Sequence, residues 1–106
     1  MNVGDRVRFD DSATSWLIRA EARDGRYHIA TCALFGRVYY TILDHHAGVR
    51  GPLNIVGQGM GITTLAGPDE GIAETVRLLE EVSELGSYEW EVSHRNYVPL
   101  RATVIS

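Results

Sequence analysis

The sequence predicts an α+β domain, mainly antiparallel β: a small SH3-like barrel or curved sheet of five to six strands with one helix in the C-terminal half. Three observations carry this expectation. Period-two alternation of apolar and polar residues recurs in short segments, an Asp-Gly pair separates two of them, and one amphipathic helical stripe appears late in the chain. The alternative assembled from the same elements is a mixed fold with the helix lying across a six-stranded sheet. At 106 residues the chain reads as a single domain, 1–106, with one core, because independently stable domains rarely fall much below ~50 residues.

Residues 5–9 (DRVRF) place Val7 and Phe9 on one side and Arg6 and Arg8 on the other, the pattern of a half-buried strand. In residues 15–22, Trp16, Ile18, Ala20 and Ala22 alternate with Leu17, Arg19 and Glu21 until Asp24 and Gly25 supply the positive-φ residues of a tight turn. Residues 27–34 return as the partner strand, apolar on both faces and so expected to be covered on both. Gly36 and Arg37 reverse the chain into a strand over 38–44. Periodicity then stops, and Gly48, Gly51, Pro52, Gly57, Gly59 and Gly61 mark a long loop of the kind that is usually functional in a small domain. Pro68 opens the helix, Asp69 and Glu70 suit its positive N-terminal end, Ile72, Val76, Leu79 and Val82 form its buried stripe, and Gly86 suits its C-cap. Tyr88, Trp90 and Val92 alternate as a further strand, and residues 98–105 form a last one that Pro99 confines to an edge or a bend. The expected shared core is Trp16, Ile18, Ile29, Ile42, Val76, Leu79, Trp90, Val92 and Val98.

Composition removes several function classes. The longest apolar run is far short of the ~20 residues of a membrane span, and no signal-peptide pattern follows Met1, so the sequence predicts a cytoplasmic protein with no membrane partner. Cys32 stands alone and is expected to be a buried, inert thiol. A net charge of −4 argues against nonspecific nucleic-acid binding, although charge alone does not exclude a local basic face. All ten basic residues are arginine, a usage expected of a G+C-rich genome, and every cation is therefore a planar fork for carboxylate or phosphate.

The segment around which the chain is organised is 39–61, YYTILDHHAGVRGPLNIVGQGMG, where a strand opens into a polar, glycine-studded loop. Its candidate binding residues are Asp44, His45, His46, Arg50 and Asn54, joined by Arg95 and Asn96 if the last hairpin neighbours the central strand. Adjacent histidines in an extended segment point to opposite faces, so no metal site is assigned even with His28, Cys32 or His94 nearby. Cys32 and His28 lie four residues apart along a strand, poor geometry for a nucleophile and its base. The GQGMG run (57–61) has bare backbone donors but no following lysine and no immediate helix, so it matches neither nucleotide fingerprint and no cofactor is assigned. The acidic helix face reads as a solvated surface or as a dock for a basic partner.

The blocks YYTILD (39–44), GVRGPLN (48–54) and EVSHRN (91–96), with the opening VGDRVRFDDSATSWLIRA (3–20), resemble a family of short proteins encoded by bacteriophages, prophages and actinobacteria. The likeness spans nearly the whole chain. Leu53 stands where the family pattern has an acidic or polar residue, and His45 and His46 are outside that pattern. The resemblance implies a phage-type accessory setting and no particular reaction. Two functions follow as expectations: a non-catalytic module that binds a host or phage macromolecule, most simply a protein, or a binder of a nucleotide, phosphate or other small molecule, or a small enzyme, built on residues 44–61.

Overall fold

The computed structural model describes residues 1–10, 12–34, 37–51, 68–81, 86, 88, 90–91 and 94–105. The chain forms β1 (Arg6–Phe9), β2 (Ser15–Ala22), β3 (Tyr27–Leu34), β4 (Arg37–Asp44), β5 (Val49–Gly51), α1 (Pro68–Glu81), β6 (Val98–Pro99) and β7 (Ala102–Val104). The strands make one seven-stranded sheet in the order β6-β5-β4-β3-β2-β1-β7, antiparallel at every step. The class is therefore α+β and mainly antiparallel, as the alternation predicts.

The two ends of that order, β6 and β7, are separated in the chain by Leu100 and Arg101 alone, so one stretch of backbone borders both edges and the sheet curls into a half-barrel. The hydrogen-bond alternation shows how. Leu100 N–H donates to Gly48 C=O on the β5 side, whereas Arg101 C=O accepts from Asp10 N–H and Ile105 N–H donates to Arg6 C=O on the β1 side. A positive φ of 34° at Arg101 turns the strand between its two partners. The expected single last strand is thus two short ones.

The core is divided in two, where the sequence predicts one. Val7, Phe9, Ile18, Ala30 and Leu43 fill the concave side, with Trp16, Leu100 and Ala102 against them. Ala22, Tyr27, Ile29 and Ile42 pack on the other side under Ile72 and Leu79 of α1, joined by Ala20, Tyr40, Val76 and Tyr97. The division originates in β2. A register shift between Ile18 and Ala20 inserts one extra residue opposite β3, so Trp16 and Ile18 face the barrel while Ala20 and Ala22 face the helix. Without the bulge all four would share a face.

Two further expectations are corrected. Tyr88, Trp90 and Glu91 are helical rather than extended, with Trp90 N–H bonded to Gly86 C=O and His94 N–H to Trp90 C=O, the spacing of a helical turn. Val98, expected in the core, is exposed. Val82 and Val92 lie outside the described residues.

The β2–β3 turn carries positive φ at Arg23 as well as at Asp24 and Gly25. Glu80 of α1 holds it: Arg23 N–H donates to Glu80 Oε1 at 2.7 Å, and Arg23 Nη1 donates to the Glu80 carbonyl at 3.3 Å. Gly51 ends β5 against Tyr97, where a Cβ would sit 2.9 Å from Tyr97 Cδ1 and 3.2 Å from its Cα. Gly51→Ala should therefore cost ~1–3 kcal/mol by overpacking in a urea melt. A cost near zero would mean that β5 and Tyr97 are not held together.

Candidate functional site

Asp44, the last residue of β4, is fully buried, with 0% of its surface exposed. An aspartate there caps the turn that follows, because its short side chain reaches backbone N–H groups two and three residues on. Asp44 Oδ1 accepts from His46 N–H at 3.1 Å and Ala47 N–H at 3.2 Å, and the Asp44 carbonyl accepts from Gly48 N–H. Arg26 adds a forked contact, Nε to Oδ1 at 3.3 Å and Nη2 to Oδ2 at 3.4 Å. His94 Nε2 closes the shell at 3.1 Å from Oδ2.

His94 is positioned by the helical turn before it. Its Nδ1 lies 2.8 Å from the Trp90 carbonyl, an acceptor only, so Nδ1 carries a hydrogen and donates. Its Nε2 faces the Asp44 carboxylate, so one imidazole spans the Trp90 carbonyl and Asp44. The Trp90 ring stacks on it at 4.3 Å between centroids and Tyr97 closes the other side at 4.6 Å. The buried Asp44 thus links the end of β4, the β2–β3 turn and residues 90–97.

His45 turns the other way. Its Nε2 lies 2.7 Å from His28 Nδ1, with the rings edge to face, and His28 Nε2 lies 3.5 Å from Glu21 Oε2. Both imidazoles are held below the usual histidine pKa. Burial is the first cause for each; the neighbouring His45 adds to it at His28 and the N-terminal amine at His45, against weaker opposition from Glu21 and Asp44 respectively. Because the folded protein binds these protons less readily than the unfolded chain, stability is complete above pH ~6.5 and falls as pH drops below that value. The melting temperature should be flat above pH 7 and fall through pH 6, and His28→Gln should flatten that dependence. An unchanged slope in the variant would exclude the pair as its source.

Nitrogens 2.7 Å apart share a hydrogen and leave no room for an ion between them. Among the described residues no group of three or more His, Cys, Asp or Glu side chains is arranged to hold a metal. Cys32 is buried, and burial raises its thiol pKa, as expected of an unreactive cysteine. Burial likewise pushes the Tyr27 and Tyr97 phenols up.

The remaining candidates separate. Arg50, in β5, carries its guanidinium 4.0 Å above the Phe9 ring, at a cavity of about 310 Å³ bounded also by Trp16, Cys32, Tyr39 and Tyr40. It therefore points toward a cleft at the barrel mouth. Arg95 and Asn96 are exposed in the turn after His94, and His46 is exposed with its backbone bonded to Asp44. Asn54 and the GQGMG run lie outside the described residues. The last segment pairs with β5, where Arg50 stands opposite Val98, rather than with the central strand β4, and its contact with Asp44 runs through His94 rather than through Arg95 or Asn96. The sequence reading missed Arg26 as an Asp44 partner and His28 as the mate of His45. The signal available for Arg26 was its place at the end of the Asp-Gly turn, directly before the strand that pairs with β4. No family model, curated protein or solved structure matches this chain.

Proposed function

We propose that the protein is a non-catalytic binding module of phage or prophage accessory type, acting in the cytoplasm of a bacterial host on a protein partner. The observation that carries this reading is the internal use of the reactive groups in the central segment. Asp44 is enclosed by Arg26, His94 and two backbone donors, and His45 is closed on His28, so these side chains build the scaffold and leave recognition to the surface. The likeness of residues 39–54 and 91–96 to short phage and prophage proteins supports the setting. The test is affinity capture from phage-infected host lysate. A single partner recovered in stoichiometric amount, and rebound by the purified protein, is the expected result; background proteins alone would count against it.

The barrel mouth favours a second reading, a binder of small aromatic or apolar anions. Arg50 presents a cation beside the Phe9, Trp16 and Tyr39 rings around one cavity. A thermal-shift panel of nucleotides and aromatic carboxylates separates the two, since a ligand at one hundred times its Kd adds about 2.7 kcal/mol to the folded state. A shift lost in Arg50→Ala would favour the small-molecule reading.

A further inference from the structure

In β7 the backbone groups alternate between two sides. Arg101 C=O and Ile105 N–H bond to β1, and the β1–β7 register pairs Thr103 with Arg8 between them. Residues 102 and 104 therefore turn their N–H and C=O groups away from β1. The strand that would lie on that side is β5, but among the described residues Gly48 is the last there to bond this stretch, at Leu100, and the chain then enters the β4–β5 turn. β7 is an end strand of the sheet, with Val104 46% and Ile105 44% exposed.

Charge decorates the outer face of this edge. Leu100 and Ala102 pack inward, so Arg101 and Thr103 point outward, on the same side as Arg6 and Arg8, whose neighbours Val7 and Phe9 are the buried residues of β1. All three arginines are exposed, and Asp10, opposite Arg101, is a carboxylate on the same face. Along a strand, side chains on one face recur every ~6.6 Å, so the cations sit at the spacing of alternate residues in an added strand. A second copy paired edge to edge would bring like-charged arginines together, whereas alternating carboxylates would meet them.

We propose that the outer edge of β7, which no other described strand pairs, receives an extended acidic segment of a partner protein, which adds a strand beside Ala102 and Val104 and sets alternate Asp or Glu side chains against Arg101, Arg8 and Arg6. This rests on the binding-module reading and supplies its partner class. Main-chain bonds give the affinity and the arginines give the selectivity, as in other strand-addition complexes.

The probe is a fluorescein-labelled peptide of alternating Val and Glu, titrated by anisotropy against the intact protein. Saturable binding is expected, at least tenfold weaker for the Val-Lys peptide and for a Val-Glu peptide N-methylated along one edge. Val104→Pro, which removes an outward N–H and leaves the β1 bonds in place, and Arg8→Ala with Arg101→Gly should each weaken binding about tenfold. The methylated peptide keeps the backbone test valid should Val104→Pro fail to fold. No saturable binding, equal binding of the Glu and Lys peptides, unchanged binding by the methylated peptide, tighter binding of a single-stranded oligonucleotide, or a dimer in sedimentation that Val104→Pro dissolves would each overturn the proposal. If capture still returns a stoichiometric partner, the module reading survives and only this surface falls.

Discussion

Asp44→Ala should cost about 3–5 kcal/mol, the loss typical of breaking a buried ion pair by removing one partner. The change leaves Arg26 and a buried His94 facing an empty acceptor site and frees the two N–H groups at the start of the β4–β5 turn. Against the ~5–15 kcal/mol stability of a domain this size, the variant should be largely unfolded at 37 °C if the wild type lies at the low end. The measurement is a urea melt followed by tryptophan fluorescence, because Trp90 stacks on His94 and reports the same cluster. Asp44→Ala combined with His94→Phe should be less damaging than the sum of the single changes, since the aromatic ring keeps the stack and the uncompensated donor is gone. Additive losses would show that Asp44 and His94 do not act as one unit.

Leu79→Ala should cost ~2–5 kcal/mol, the range for truncating a fully buried leucine. Leu79 is 0% exposed and packs with Ile72 on Ala22, Tyr27, Ile29 and Ile42. Val76 lies beside that contact only half-buried, so Val76→Ala should cost distinctly less. Equal small losses at both positions would mean that α1 does not dock on the sheet. Part of the Leu79 effect should appear as loosening of the β2–β3 turn, because Glu80, the next residue, holds Arg23 there. Hydrogen exchange at residues 23–26 tests that link.

The sequence was most legible where structure is local. The Asp24-Gly25 turn is specified by two residues that tolerate positive φ, and the helix by Pro68 and the stripe Ile72, Val76, Leu79. The central segment was legible as a place, because an aspartate at a strand end followed by glycines marks a capped turn. Its chemistry was not. His94 stands fifty residues from Asp44, and no pattern within either segment encodes that distance.

Two misreadings have the same physical origin. Residues 88–92 alternate with period two, yet Trp90 and His94 are also four apart, and in so short a segment the two periods are indistinguishable until the Asp44 carboxylate is in place to favour the helical turn. Trp16, Ile18, Ala20 and Ala22 read as one face of one strand, and only the bulge against β3 divides them between barrel and helix.

By itself the sequence determined an antiparallel α+β class, the β2–β3 and β3–β4 hairpins and the helix, because turn chemistry and side-chain periodicity act over a few residues, but it read residues 49–51 as loop where β5 pairs with β4. Tertiary structure alone decided the curling of the sheet through a bent strand shared by β5 and β1, the two-sided core, and the enclosure of Asp44 by Arg26 and His94. Each of these depends on which distant backbone groups meet. A hydrogen bond or a packed side chain stabilises the fold only once both partners have been brought together, and that pairing is a property of the closed sheet rather than of any stretch of chain within it.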